Sequence, residues 1–263
     1  MFFLLSTALA NPAHQTIIVP TRTDNVVKID SQSLSHTVYG YLPYWSTDPE
    51  EVPLSGLSHI AYFSAEISSD GSLSNTQRWN TAAPILVSRA HAQGVSVHLC
   101  VTAFSDSIIN SVLPDRTRRA TLIAEIQSLI SNHQADGVNI DIEGMDANQR
   151  DNFNTFISEL SQVVPEIVIA TPAVDWSDAY DYTTLADYAT LFIMAYDYHW
   201  SGGDPGPVDP LFGGGSWGPY SIEWSVNRAL YSNFNISNIF GHIYSQTVTL
   251  STFNIRGNLY TCI

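Results

Sequence analysis

The chain has 263 residues, 44% of them apolar, and a formal net charge of −15 with only ten Lys and Arg. That length and apolar content suit one large domain with a substantial core. The charge argues against nucleic acid and against an anionic membrane surface as partners, and leaves a neutral or cationic one.

Residues 1–10 form a short apolar run ending in Ala8-Leu9-Ala10, which resembles a signal-peptide cleavage site although no positive charge precedes it. Secretion is the expectation it carries. Residues 11–36 are polar and aperiodic and read as a leader or linker. No later segment has the roughly 20 apolar residues of a membrane span. From Thr37 onward, apolar strands alternate with amphipathic segments, so 37–263 reads as the folded domain. Strands are expected at 37–45 and 57–66, then a helix at 78–93 closed by Gly94. A third strand at 95–103 leads to a helix over 115–133, with Leu122, Ile126, Leu129 and Ile130 at helical spacing. The fourth strand covers 136–143. A helix over 147–163 follows, apolar at Phe153, Phe156, Ile157 and Leu160, and then strands at 166–172 and 189–197. A Gly/Pro-rich loop fills 201–220, and a helix near 221–232 leads to a seventh strand near 238–244.

Strand–helix alternation at this rhythm implies parallel strands with right-handed crossovers, and seven of them favour a (β/α) barrel over an open doubly wound sheet. No Gly-x-Gly-x-x-Gly turn follows the first strand, so nothing indicates a dinucleotide cofactor. His59, His98 and His199 lack metal-ligand spacing and read as structural, so no metal is expected. Cys100 lies in an apolar run and reads as a buried thiol, with a Cys100–Cys262 pairing left open.

The most informative stretch is Asp136-Gly137-Val138-Asn139-Ile140-Asp141-Ile142-Glu143. A strand's period of 2 sends Asn139, Asp141 and Glu143 to one face and Val138, Ile140 and Ile142 to the other. Acidic groups inside a strand are costly unless a site uses them. Glu143 falls at the strand's C-terminal end, where barrel active sites form, and a carboxylate two residues back would raise its pKa. Glu143 is therefore the candidate general acid. Asp136 reads more simply as an anchor for the strand start.

This segment resembles the Asp-Gly-x-Asp-x-Asp-x-Glu signature of glycoside hydrolase family 18, the chitinase-like barrels. Met194-Ala195-Tyr196-Asp197 resembles that family's Met-x-Tyr-Asp motif, and Tyr39-Gly40-Tyr41 with Tyr44-Trp45 looks like its first strand. Gly206-Pro207 and Pro210-Leu211 look like its loop after the sixth strand. The resemblance spans roughly 37–240. It implies a (β/α)8 barrel that cleaves β-1,4 bonds in polymers of N-acetylglucosamine, with chitin, chitooligosaccharides, peptidoglycan or an N-glycan core as substrate, and a non-hydrolytic chitin- or oligosaccharide-binding barrel as the alternative. No Asp or Glu follows Glu223, so the seventh strand supplies no nucleophile. The family resolves this through the substrate's own N-acetyl oxygen. By resemblance Asp141 orients the acetamido N–H, Tyr196 bonds its carbonyl, and Met194 and Asp197 line the −1 sugar site. Asn139, Tyr41, Trp45 and Trp200 are the further candidates for binding, with Trp200 as the leading stacking platform.

Three departures qualify this picture. Asn139 stands where the family pattern commonly has Asp, which removes one carboxylate near Asp141 and is expected to shift the pH optimum. The Ser-x-Gly-Gly pattern of the third strand is absent. Gly241-His242-Ile243-Tyr244 fits the seventh-strand pattern poorly, and the 19 residues after Tyr244 have little room for a helix and an eighth strand. The expectation is an incomplete barrel of about seven strands, with open edges and an atypical 241–263.

Overall fold

The computed structural model describes residues 37–231, 239–241, 251–255 and 258–262, with side chains to residue 228. The expected signal and leader segments lie outside these residues. Seven strands pair in parallel in one curled sheet: β1 (Tyr39–Pro43), β2 (His59–Ile67), β4 (Ser96–Ala103), β5 (Gly137–Ile142), β6 (Ile167–Pro172), β7 (Thr190–Met194) and β8 (Ile239–Gly241). Helices α1 (Thr76–His91), α3 (Arg116–His133), α4 (Arg150–Leu160), α5 (Tyr182–Ala186) and α6 (Ile222–Tyr231) fall between successive strands. Among the described residues no pairing joins β8 to β1, so the sheet is an incomplete (β/α) barrel.

Strand alternation builds two cores. Val138, Ile140 and Ile142 of β5 face outward, where they pack with Leu122, Ile126, Phe153, Phe156 and Leu160 of the helices. A smaller cluster fills the lumen: Tyr39, Ala61, Cys100, Val168, Ala170, Phe192 and Met194, with Tyr41, Phe63 and Tyr196 against it. Cys100 is a free, buried thiol among the described residues, and the side chain of Cys262 lies outside them.

Three features depart from the expected elements. A two-residue strand β3 (Leu73–Ser74) folds back on β2, and a short helix α2 (Asp106–Val112) follows β4. The sixth parallel strand stops at Met194, so Tyr196 and Asp197 lie in the loop beyond it, with Asp197 at φ 56°. At the C-terminus β9 (Ser251–Ile255) and β10 (Asn258–Cys262) form an antiparallel pair separate from the main sheet.

Candidate active site

The strand ends explain why the carboxylates converge. Asp141 pairs in register with Thr102 of β4, and the Glu143 amide extends the ladder by donating to the Ala103 carbonyl at 3.0 Å. Gly144 then turns the chain away at φ 79°, a conformation that costs glycine little. Glu143 is thus held at the last position of the strand, at the barrel mouth. It lines a cleft of about 420 Å³ together with Pro172, Val174, Trp176, Met194, Tyr196, Asp197, Tyr198, Trp200 and Tyr220. Asp141 lies buried behind it.

The electrostatics are unusual for carboxylates. Burial, reinforced by the Glu143 charge and by a hydrogen bond between the two carboxyls, pushes Asp141 up to about 7. Burial also raises Glu143, its bond to Asp141 works against that rise, and the Asp197 charge adds to it. The opposite signs of that bond on the two groups fit Asp141 donating to the Glu143 carboxylate. Asp141 Oδ1 makes no hydrogen bond with the protein and is left available. Tyr180, from the segment after β6, donates to the Ile142 carbonyl at 2.5 Å and braces the strand end between the two carboxylates. Asp175 fixes that segment by accepting from the Ala179 and Tyr180 amides.

The other sequence candidates take distinct places. Asn139 is fully buried in the lumen, and its Oδ1 accepts from Cys100 Sγ at 3.1 Å. Burial, then the Asp141 and Glu143 charges, push the Cys100 thiol well up, which keeps it protonated. Tyr41 packs edge-on against Phe192 at 5.4 Å, with a phenol raised by burial and by neighbours that include Asp141. Met194, Tyr196, Asp197 and Trp200 meet Glu143 in the cleft. Trp45 does not join them: it stands exposed on the rim, edge-on to Tyr44 and Phe63. Asp136 accepts from the Val97 amide at 2.7 Å and contacts His91 Nε2 at 2.9 Å, an anchor for the strand start. Sequence reasoning did not single out Tyr180, Tyr198 or Tyr220. These sit in loops, where no periodicity marks a side chain's direction.

The model of the glycosyl hydrolases family 18 matches residues 37–251 of this chain. The chain belongs to that family. YdhD of Bacillus subtilis, whose name describes it as a sporulation-specific glycosylase, is 31% identical over 224 residues, 77% of this chain and 51% of YdhD. The cortical fragment-lytic enzyme of Bacillus subtilis is 25% identical over 176 residues, 59% of this chain and 39% of that enzyme. The chain thus spans about half or less of the curated relatives it matches. Among solved structures, YdhD superposes with a TM-score of 0.61 at 25% identity, covering 71% of this chain and 63% of that one. Catalytic domain 2 of the Ostrinia furnacalis group II chitinase gives 0.71 at 16% identity, covering 79% and 63%. Family membership places this barrel among the glycosidases. None of the described helices is long and apolar enough to cross a membrane.

Proposed function

We propose that this chain hydrolyses β-1,4 bonds in N-acetylglucosamine-containing polymers, with retention and with the substrate's acetamido group as nucleophile. The observation that carries the proposal is the Asp141–Glu143 pair: two carboxyls two residues apart at the C-terminal end of β5, both raised by burial, with the outer one in the cleft. An ordinary retaining glycosidase sets its nucleophile across the sugar, about 5 Å from the acid. Asp141 is on the same wall as Glu143 and is bonded to it, so it cannot take that place.

In this proposal the residues divide the labour as the family resemblance implies. Glu143 protonates the glycosidic oxygen. Asp141, with its free Oδ1, accepts the acetamido N–H and passes its proton to Glu143 as it turns. The acetamido oxygen then closes on the anomeric carbon, and the negative Asp141 stabilises the resulting oxazolinium ion. Tyr196 bonds the acetamido carbonyl. Met194 and Asp197 line the reacting sugar, and Trp200 offers a stacking face. Water returned through Glu143, now a base, opens the oxazolinium ion.

Chitooligosaccharides fit this chemistry. A spore-cortex or other peptidoglycan substrate carries the same 2-acetamido group, and the names of YdhD and of the cortical fragment-lytic enzymes favour it. Secretion belongs to the same proposal, since both polymers lie outside the cell membrane. A purely sugar-binding barrel is disfavoured by Glu143, which such a module has no need to hold in the cleft.

The deciding assay follows release from a chromogenic chitobioside and from isolated cortex peptidoglycan, with binding to insoluble chitin measured in parallel. Hydrolysis of either substrate supports the proposal, and the preferred one assigns the polymer. Binding without hydrolysis of either would overturn it.

A further inference from the structure

At the end of the lumen opposite the cleft, three side chains converge that the proposed reaction does not use. His59 opens β2, His98 is the third residue of β4, and Glu166 immediately precedes β6. The Glu166 carboxylate reaches both imidazoles, with Oε1 3.0 Å from His59 Nε2 and Oε2 3.2 Å from His98 Nε2. Its position is set by the backbone. A Cβ on Gly137, at the start of β5, would stand 2.3 Å from the Glu166 carbonyl oxygen and 2.8 Å from its Cβ, so only glycine lets Glu166 in this close. His98 is 0% exposed, yet its Nε2 makes no well-directed hydrogen bond even with a carboxylate oxygen nearby. An unsatisfied buried polar atom of this kind asks for an explanation.

We propose that His59 Nε2, His98 Nε2 and a Glu166 carboxylate oxygen form a binding site for a divalent transition-metal ion, zinc first among them. Two imidazoles and a carboxylate are a zinc donor set. Ligands about 2.0–2.1 Å from a tetrahedral ion stand about 3.3 Å apart, and each imidazole is near that distance from its own carboxylate oxygen, His59 Nε2 at 3.0 Å from Oε1 and His98 Nε2 at 3.2 Å from Oε2. One donor atom from each of the three residues lies within 4.8 Å of the others, and the two rings are 5.5 Å apart at 68°.

The outer contacts allow the exchange. His59 Nδ1 meets Ser58 Oγ at 2.8 Å, and His98 Nδ1 meets the Tyr39 hydroxyl at 2.9 Å. A hydroxyl can donate or accept. Each ring can therefore present Nε2 as an N–H toward Glu166, or as a lone pair toward a cation, without losing its partner at Nδ1. Such hydrogen bonds orient histidine ligands in metal sites generally. Access is from the base: the Glu166 and His59 side chains are 38% and 18% exposed, so a fourth ligand position opens to water. The ion would clip β2 and β4 to the entry of β6, across the intervening β5. That is a stabilising role, as suits the bottom face of a barrel. The three residues are 39 and 68 positions apart, which is why no ligand spacing shows in the sequence.

The test uses the full chain, stripped with a chelator and dialysed. Zinc is titrated calorimetrically, cobalt is followed by its visible absorption, and the thermal midpoint is recorded with and without zinc. The expected result is one zinc per chain at this site, a zinc-dependent rise in the midpoint, and cobalt bands of a low-coordinate nitrogen/oxygen site. Losing a ligand in His59→Gln or Glu166→Gln should weaken binding by more than about 100-fold, beyond the range for outer contacts, and Tyr39→Phe by about tenfold. An Asp141→Asn/Glu143→Gln double variant should bind zinc like the parent, which separates this site from the cleft carboxylates. No binding by the parent, or undiminished binding by both His59→Gln and Glu166→Gln, would mean an adventitious ion only and would overturn the proposal. If one of these variants does not melt cooperatively without metal, the other decides.

Discussion

Each end of the barrel lumen holds a partly or fully buried carboxylate, and the two ends treat its charge in opposite ways. At the mouth, burial raises both carboxyls, with the Glu143 charge adding to the rise at Asp141 and the Asp197 charge to that at Glu143. At the base, burial also works to raise Glu166, but the close contacts of the His59 and His98 imidazoles outweigh it and hold the carboxyl well below its usual range. Burial alone therefore does not decide what a carboxylate in this barrel does. The partner does: a second carboxylate leaves a proton mobile, and a pair of imidazoles pins the charge. The mouth is poised for proton transfer and the base for cohesion.

The largest effect that can break this contrast is at Glu143. Glu143→Gln keeps the shape and removes the acid, so turnover of the preferred 2-acetamido substrate should fall by about 10²–10⁴-fold while the thermal midpoint stays near the parent value. A variant retaining a tenth of the activity would remove Glu143 from the mechanism.

Asp141→Asn comes next, with two readouts of opposite sign. Turnover should fall by about 10²-fold, because the helper that orients the acetamide and holds the proton is gone. Stability should move the other way above neutrality. A carboxyl raised to about 7 in the fold, against an ordinary value of 3.8, binds its proton more tightly folded than unfolded. Its stabilisation is complete below about pH 4 and is lost as pH rises through about 7. At pH 8 the parent carries a buried charge that the neutral amide of the variant lacks, so Asp141→Asn should be more stable by on the order of 2 kcal/mol, with no gain at pH 4. Thermal midpoints at pH 4, 6 and 8 test this, and a gain independent of pH would refute it. The parent's kcat/KM should also fall as pH rises through about 7, as the Asp141 proton leaves.

Glu166→Gln probes the base. In metal-free protein it should cost about 1–2 kcal/mol, below the range for fully buried pairs because Glu166 is partly exposed. The pH–rate profile should keep its midpoint, since Glu166 is not among the groups that shift Asp141 or Glu143. A shifted profile would show that the two ends are coupled and would end the contrast drawn above.

How much of this was legible in the sequence depends on how each part is encoded. The 136–143 strand could be read because period 2 separates Val138, Ile140 and Ile142 from Asn139 and Asp141, and the outer core and lumen receive them accordingly. The helix read at 115–133 runs from Arg116 to His133, with Asp115 capping it through the Thr117 and Arg118 amides. Helices α2 and α5 escaped notice because five to seven residues bury too few side chains to show a period. Tyr196 and Asp197 were placed on a strand that ends earlier, because the local turn at Asp197 overrides the apolar run before it. The cleft carboxylates were legible since they lie on one strand. The basal cluster was not, because parallel register brings it together: His59 is opposite Tyr39, and His98 is opposite Gly137, whose missing Cβ admits Glu166.

The smallest predicted effect sharpens the mouth side of the comparison. Trp200 and Trp45 are almost equally exposed, at 63% and 64%, but only Trp200 lines the cleft beside Glu143. Exposure alone would give them the same role. If the cleft holds the sugar, Trp200→Ala should remove a stacking face worth about 1 kcal/mol, a roughly fivefold rise in KM with kcat little changed. Trp45→Ala, on the outer rim, should move KM less. Neither substitution should alter zinc binding at the base. Equal effects of the two would mean that the substrate runs along the whole rim rather than through the cleft. A fall in kcat for Trp200→Ala without a change in KM would make Trp200 a group that positions the reacting sugar, acting only as the transition state forms.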